Sequence, residues 1–410
     1  MGVSVFTDHL IASLSISRTM MGVAYLLGTI CSGFLVSWMG RWLDRHGLRQ
    51  GTVVSGLGMG AALVFLSQVD RVANFMYAGE SQGLEIAIKF VVVTGGFFLL
   101  RFFGQGLMTL ASRNMIAKWF DLYRGRVTAI SGIIASFAFS SAPWGLERLI
   151  HYLGWRGAWL LLASISGLFL LVFSYLLFRD NPEECGLKVD AGRTAKEGAR
   201  VNKDNLVVRE FTKREAIRTY SFWVYNLAIS LQGFFITGYT FHLISIADDL
   251  EVAHSVVLGA FLPGAAIGIF VSVLVGWLID WTRMKYSLGV FCIGLLLVPS
   301  GLLMAPSSFG IGIMIVGFGI AGGSFAPIMG TVWARFYGRK ELGGISGFNM
   351  SSIVIASALG PTFFSLSYDY LGGYRPAISF GVLCAIGLMI AGFFAENPQR
   401  ALQQSSTTDA

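Results

Sequence analysis

The sequence predicts an all-α membrane protein made of two parallel halves of six helices each. Hydrophobic residues make up 54% of its 410 residues, charged residues make up only 13%, and the mean hydropathy is +0.66. Soluble domains carry about 25% charged residues, which they need to cover their surface. Several motifs also occur twice, and apolar runs that are long enough to cross a bilayer follow one another along the chain.

The duplicated motifs place the two halves in the same order. The copies lie 215 to 219 residues apart, and the paired segments are residues 129–132 and 344–347, 142–143 and 360–361, 152–158 and 370–377, and 178–183 and 394–399. The register is therefore held across six apolar segments. Two membrane-embedded halves in parallel register are typical of a secondary transporter rather than an enzyme.

Apolar runs define the predicted spans. Eleven are long enough to cross a bilayer, and they lie near residues 20–39, 51–69, 90–112, 127–146, 157–178, 220–246, 255–279, 286–304, 308–333, 345–366 and 377–395. Two similar charged loops, at residues 40–49 and 276–283, are 236 residues apart. Carried back from the span at 220–246, this offset places the start of the first span before residue 1. We therefore expect eleven complete spans and a truncated first span whose remaining part is residues 2–14.

The distribution of Lys and Arg predicts the orientation of the spans. Of the 30 basic residues, 23 fall on one side of the predicted membrane, six fall on the other, and Arg101 lies within a span. The basic side is predicted to be cytoplasmic. We expect a multi-pass protein of the cell membrane whose segments are an N-terminal half at 1–178, a solvated cytoplasmic linker at 179–218, a C-terminal half at 219–396 and a cytoplasmic tail at 397–410.

Composition also excludes several other classes of site. The net charge of +7 comes from basic residues at the ends of spans, and no basic patch is interleaved with aromatic residues, so the sequence predicts no binding of nucleic acid. The four cysteines, Cys31, Cys185, Cys292 and Cys384, lack the spacing of a zinc site. We expect no metal and no cofactor, and we expect the lipid bilayer and a small-molecule substrate as partners.

The charged loop between the second and third spans resembles a known family. It follows the pattern G-x-x-x-D-[RK]-x-G-x-[RK], which is that of the major facilitator superfamily, with the residues Gly40, Asp44, Arg45, Gly47 and Arg49. A degenerate copy lies where that family repeats the loop, with the residues Gly276, Asp280 and Arg283. The resemblance implies a gating role, in which an ion-pair cluster around the aspartate latches one face of the transporter. The alternative is that these are ordinary charges of the cytoplasmic side.

Three further stretches resemble one branch of that superfamily. Residues 101–106, 119–126 and 181–187 are similar to the bacterial monocarboxylate and oxalate–formate transporters. This resemblance implies a small organic anion as substrate.

Arg101 is the first candidate for substrate binding. It lies well inside the span at 90–112, no Asp or Glu lies deep in any complete span, and a membrane-embedded cation without a counter-ion suits an anion site. Gln105 follows one helical turn later. Proton-coupled antiporters of the superfamily carry R-x-x-Q-G in this span, whereas here one residue is inserted between the Arg and the Gln. The alternative for Arg101 is a structural bond to backbone carbonyls.

His242 and Tyr239 are the second candidate pair. His242 is the only histidine deep in a complete span, and Tyr239 precedes it by about one turn. Histidine is the side chain that protonates most readily near neutral pH, so His242 could couple transport to protons. The alternative is a hydrogen-bonded packing residue. Asn226, Gln232, Tyr25 and Asn349 are further polar residues at similar depth, but periodicity does not fix the direction in which they point.

The sequence therefore predicts a secondary active transporter that works by alternating access and carries a small organic anion such as a monocarboxylate. One alternative is an exporter of drugs or other small molecules by proton antiport, although the membrane-embedded carboxylate that a cationic drug requires is missing from the sequence. A membrane-embedded enzyme is a more distant alternative, because the sequence has no H-E-x-x-H, no G-x-S-x-G with a matching histidine and no paired intramembrane aspartates.

Overall fold

A computed structural model of the protein describes residues 5–77, 79, 81–192 and 207–402, and every regular element in this part of the chain is helical. The α-helices are α1 (Thr7–Leu14), α2 (Arg18–His46), α3 (Leu48–Ser67), α4 (Val69–Met76), α5 (Gln82–Leu100), α6 (Thr109–Trp119), α7 (Arg124–Ser164), α8 (Leu170–Leu177), α9 (Lys213–Ala216), α10 (Tyr220–Phe241), α11 (Leu243–Asp249), α12 (His254–Gly259), α13 (Phe261–Trp281), α14 (Met284–Leu303), α15 (Ser308–Tyr337), α16 (Leu342–Leu371) and α17 (Arg375–Phe394). Two π-helices, Arg101–Met108 and Ile165–Phe169, join α5 to α6 and α7 to α8. Residues 1–4 of the predicted first span, 193–206 of the linker and 403–410 of the tail lie outside the described residues.

The all-helical prediction is confirmed. Nine helices or continuous helical stretches in the described residues are long and apolar enough to cross a membrane, and the bent pair α10–α11 raises this number to ten. The predicted total of eleven complete spans stays a prediction. Helix α1 has eight residues and is about 12 Å long, against about 30 Å of hydrocarbon in a bilayer.

Two of the duplicated segments contain a turn between helical segments. Gly154 interrupts α7 with a φ of +68°, and Gly372 ends α16 with a φ of +77°. Both belong to the paired segments 152–158 and 370–377. A positive φ is open to glycine at little cost, so each copy of the motif carries glycine where the chain turns between two helical segments.

The helices form two compact units. The first unit is Met1–Ser112 with Ile134–Asp180, and the second is Arg113–Ile133 with Asn181–Ala410. The core of the first unit includes one face of α1, where Phe6 packs edge-on against Trp159 with ring centroids 4.9 Å apart. In the second unit α14 and α15 approach closely through glycines, since a Cβ added at Gly301 or Gly317 would meet backbone atoms of the other helix.

Two departures from regular α-helix lie beside the candidate residues. Helices α10 and α11 meet at an angle of 75°, and His242 is the residue between them. The first π-helix begins at Arg101. Such irregular turns inside helices often mark functional positions, and here each coincides with a residue that the sequence singles out.

Candidate functional site

Arg101 lies in the first unit without an acidic partner. Its Nε donates a hydrogen bond to the hydroxyl of Thr29 at 3.2 Å, and its guanidinium carbon lies 5.1 Å from the centre of the Tyr25 ring. Both partners belong to α2 and lie about one turn apart. Among the described residues no carboxylate forms an ion pair with Arg101. Its two terminal nitrogens therefore have no described acceptor and can hold an anion.

The first π-helix accounts for the residue inserted between Arg101 and Gln105. In a π-helix the hydrogen bonds run from residue i to i+5, so each turn holds more residues than a turn of α-helix. Residues four apart in this segment therefore lie on nearly the same face, as residues three or four apart do in an α-helix. Gln105 is exposed, and we expect it to remain on the side of Arg101.

His242 is the centre of a hydrogen-bonded group in the second unit. Its Nε2 lies 3.0 Å from the carbonyl oxygen of Pro361 and 3.1 Å from the hydroxyl of Ser365. Its Nδ1 lies 3.3 Å from the hydroxyl of Tyr374, which is in turn 3.0 Å from the hydroxyl of Ser245. A carbonyl only accepts, so Nε2 carries a hydrogen and Nδ1 faces the tyrosine.

Tyr239, in contrast, is fully buried in the core of the second unit. Its hydroxyl lies 3.8 Å from the sulfur of Met314, and its ring packs against Phe318 with centroids 5.2 Å apart. The sequence places Tyr239 one turn from His242, and the backbone N–H of His242 does continue that turn by donating to the carbonyl of Gly238 at 3.3 Å. The two side chains nevertheless have different partners. In this structure the Tyr239 side chain has no surface available to a substrate.

Other polar residues, whose direction the sequence does not predict, lie between helices. Asn226 of α10 receives a hydrogen bond from Asn349 of α16 at 2.9 Å and donates to Ser352 at 3.2 Å, so both asparagines link the two helices. Gln232 lines a largely apolar cavity of about 140 Å³ in the second unit, and its Oε1 is buried without a described partner. In the described residues no group of three or more His, Cys, Asp or Glu side chains lies close enough to hold a metal ion.

The first copy of the charged loop is bound within the first unit. The turn between α2 and α3 has Gly47 at a φ of +88°. Asp180 accepts the backbone N–H of Arg49 at 2.6 Å, while the Arg49 guanidinium donates to the carbonyl of Tyr175 and lies 4.6 Å from the centre of its ring. Gly40 is buried, Asp44 is half-buried and Arg45 is exposed. The loop is thus fixed to the end of α8.

The second copy has Asp280 at its centre, with an exposed fraction of 7%. Its carboxylate accepts the backbone N–H of Gly125 at 3.0 Å and forms ion pairs with Arg126 at 3.5 Å and Arg335 at 3.8 Å. Arg335, which is buried, also donates to the carbonyl of Ile279 at 2.6 Å. Asp280 therefore binds the start of α7, where unpaired N–H groups and the helix dipole favour a negative charge.

The other residues of the second copy complete this contact. Gly276 lies against α7, and a Cβ added there would come 2.8 Å from both the Gly125 carbonyl oxygen and the Cβ of Ala129. Arg283 forms an ion pair with Glu396 at 3.7 Å. A small residue at 276 thus lets α13 and α7 approach closely enough for the carboxylate of Asp280 to reach a backbone N–H.

The described ends of the linker bind the helices, which differs from the predicted solvated linker. Asp190, with an exposed fraction of 6%, accepts the backbone N–H groups of Asp121 at 3.1 Å and Leu122 at 2.8 Å, just before α7. Glu210 accepts the corresponding groups of Arg339 at 2.7 Å and Lys340 at 2.9 Å, just before α16. Each end of the linker therefore caps one of two equivalent turns in the repeated halves.

The tail and the second part of the linker also bind each other. Gln399 is fully buried, accepts from the backbone of Val208 and Arg209, and donates to the carbonyl of Phe336 at 2.9 Å. Further along, hydrogen bonds from the backbone and hydroxyl of Thr212 lower the pKa of Glu215. These contacts bind the described residues that follow 206 in the linker to the described start of the tail.

Arg113 lies on the same continuous helical stretch as Arg101, just beyond the end of the predicted span at residue 112. Hydropathy ends the predicted span at 112, whereas the helix continues through α6 to Trp119. Arg113 is half-buried and contacts the sulfur of Met329 and the ring of Phe325. The signal in the sequence is the absence of a helix-breaking residue between Arg113 and Trp119.

Comparison with known proteins agrees with the fold. The family model of the Major Facilitator Superfamily matches residues 1–321. No curated protein sequence matches the chain. Among solved structures, a bacterial homologue of the iron transporter ferroportin, in an outward-facing state, has a TM-score of 0.65 at 15% identity, over 96% of this chain and 94% of that one.

Two further structures are similar at comparable levels. The E. coli fucose:proton symporter FucP has a TM-score of 0.63 at 11% identity, over 96% of this chain and 95% of that one. The human organic anion transporter MFSD10 has a TM-score of 0.59 at 15% identity, over 95% of this chain and 88% of that one. At such identities the likeness is one of fold. Taken with the family match, it identifies the chain as a membrane transporter, rather than an enzyme, that belongs to the major facilitator superfamily.

Proposed function

We propose that the protein is a secondary active carrier of a small organic anion, such as a monocarboxylate, and that it works by alternating access in the cell membrane. The observation that carries this proposal is Arg101, a membrane-embedded guanidinium held by Thr29 and the Tyr25 ring with no described carboxylate beside it. An unpaired charge within a bilayer costs several kcal/mol, so such residues face polar cavities or bind ions.

The geometry of Arg101 favours a carboxylate over a neutral solute. The bond from Nε to Thr29 and the ring of Tyr25 fix one edge and one face of the guanidinium. The two terminal nitrogens remain, and they form the planar fork that binds both oxygens of a carboxylate. Gln105 adds an amide on nearly the same face of the π-helix, where it can donate to the substrate. Arg101 and Gln105 are the substrate residues of this proposal, and Tyr239 acts through packing.

Alternating access requires a contact that closes one side and can open again. We assign this role to Asp280, which joins α13 to the start of α7. Its carboxylate accepts one hydrogen bond from the backbone of Gly125 and forms ion pairs with Arg126 and Arg335. Interactions of this kind form and break as units when the surrounding helices move. We place this contact, the linker and the C-terminus on the cytoplasmic side, as the distribution of Lys and Arg predicts.

His242 is the group that we propose to carry a coupling proton. Neutral His242 accepts the Tyr374 O–H at Nδ1, and protonated His242 donates to the same oxygen while the Tyr374 hydroxyl turns to Ser245. Both charge states are therefore hydrogen-bonded. The charged groups that lie near this network are Asp249, which accepts the backbone N–H of Tyr374 at 3.0 Å, and Asp248, which pairs with His254.

This role of His242 predicts a separation of exchange from accumulation. His242→Gln should keep exchange of labelled for unlabelled substrate within about twofold of wild type, because the substrate site is intact. Under an imposed pH gradient, the substrate concentration inside should no longer rise above the concentration outside. Tyr374→Phe is the matched control, since it keeps the histidine and removes the hydroxyl that lies 3.3 Å from its Nδ1. Proton-driven accumulation by His242→Gln at the wild-type level would make His242 a packing residue.

The proposal as a whole is tested by uptake into proteoliposomes. The purified protein is reconstituted and offered labelled carboxylates of two to four carbons, each paired with its uncharged amide of nearly the same shape. We expect saturable uptake of at least one carboxylate and none of its amide. Uptake of amides at equal rates, or of cationic drugs with no carboxylate transported, would contradict an anion carrier and would favour the exporter.

A further inference from the structure

Arg113 is a second arginine on the helical stretch Gln82–Trp119, which also contains Arg101. It lies in α6, six residues before the end of this stretch at Trp119, and twelve residues, more than three helical turns, after Arg101. It belongs to the second unit, as do the residues that it contacts. The distribution of Lys and Arg predicts that this end of the helical stretch faces the cytoplasmic side.

The partners of Arg113 do not satisfy its charge. One terminal nitrogen contacts the sulfur of Met329, and the guanidinium carbon lies 5.8 Å from the centre of the Phe325 ring. A thioether is a weak acceptor, and a guanidinium has five N–H groups to donate. No Asp or Glu in the part of the chain that the structure describes forms an ion pair with Arg113. Four of its N–H groups thus lack a described acceptor.

The polar side chain next to Arg113 in the chain is already hydrogen-bonded. The neighbouring amide of Asn114 is engaged, because it accepts a hydrogen bond from Ser346 at 2.9 Å. A buried N–H without an acceptor costs about 1 to 3 kcal/mol. A ligand that only accepts hydrogen bonds would satisfy the groups that remain.

We propose that Arg113 is a second binding station for the substrate carboxylate, used on the cytoplasmic side of Arg101. This inference rests on the proposed anion carrier and extends it. In the state described here Met329 and Phe325 cover the guanidinium. When residues 113–133 separate from α15, the thioether leaves and a carboxylate takes its place on the same nitrogens. The anion then passes between two arginines on one helical stretch.

The test compares substrate affinity on the two sides of the membrane. Uptake of the transported carboxylate is measured in intact cells, which present the outer side, and in inverted membrane vesicles, which present the cytoplasmic side. Arg113→Gln should raise KM at least about tenfold in inverted vesicles and less than about twofold in intact cells. Arg113→Lys should restore part of the loss, since it keeps the charge without the planar fork.

Met329→Leu is the matched control, because it removes the sulfur and nearly conserves the volume. It should leave KM at the wild-type value on both sides. An unchanged KM of Arg113→Gln in inverted vesicles would overturn the second station, and so would an equal rise of KM for Arg113→Gln and Met329→Leu, which would indicate packing alone. Absence of carboxylate uptake by the wild type in intact cells would instead refute the anion carrier itself, and the second station with it.

Discussion

The two copies of the charged loop differ in what they bind. The first copy has the full motif, yet it is fixed inside the first unit, where Asp180 and Tyr175 hold Arg49. The second copy keeps fewer motif residues, yet its Asp280 binds the start of α7, a segment from the other half of the sequence repeat. The number of motif residues therefore does not predict which loop joins the halves.

Among substitutions in the two loops, removing the charge of Asp280 should have the largest effect on thermal stability and on the accessibility of α7. In Asp280→Asn the amide oxygen can still accept from Gly125, but Arg126 and the buried Arg335 lose their counter-ion. A buried arginine left without its partner costs about 3 kcal/mol. We expect a lower Tm in detergent and faster labelling of a cysteine placed at Thr128, which is 5% exposed on α7.

Labelling with a membrane-impermeant maleimide measures the opening of this contact. We expect at least a tenfold rise in rate at position 128 in Asp280→Asn, on a background without the natural cysteines. Asp280→Glu should rise less, because it keeps the charge. Equal labelling of wild type and Asp280→Asn would show that Asp280 does not hold α7 in place.

A smaller effect is expected in the first copy. Gly47→Ala adds a Cβ at a φ of +88° and places it against the carboxylate of Asp180. The combined cost should be about 2 kcal/mol, which is typical of a side chain forced into the left-handed region. Thermal unfolding measures the loss, and Asp180→Ala in the same chain should recover the steric part. Labelling at position 128 should stay at the wild-type rate. A rise as large as that of Asp280→Asn would mean that the two loops act as one.

The fold could be predicted from the sequence because it rests on repeated local signals. The paired segments 152–158 and 370–377 each contain a turn glycine, and the apolar runs coincide with long helices. Local signals do not show which way a side chain faces. Tyr239 and His242 lie one turn apart, yet the tyrosine hydroxyl contacts the sulfur of Met314 whereas the histidine binds the carbonyl of Pro361.

The partners of the candidate site could be predicted only in part. The residue inserted before Gln105 is visible in the sequence, but the π-helix that accommodates it is a property of the folded backbone. Asp280 and Gly125 are 155 residues apart, and no periodicity links them. Arg113 was assigned to a loop because hydropathy marks the end of an apolar run, whereas the helix itself continues until its backbone hydrogen bonds end.

The central claim is that Arg101 binds the carboxylate of the substrate, and equilibrium binding to the purified protein tests it most directly. Affinity for the transported carboxylate is measured for wild type, Arg101→Gln and Arg101→Lys, with the Tm of each protein as the check on folding. Two charge-assisted hydrogen bonds contribute about 3 kcal/mol, so Arg101→Gln should bind about a hundredfold more weakly, with Arg101→Lys in between. A folded Arg101→Gln protein that binds the carboxylate with wild-type affinity would contradict the account.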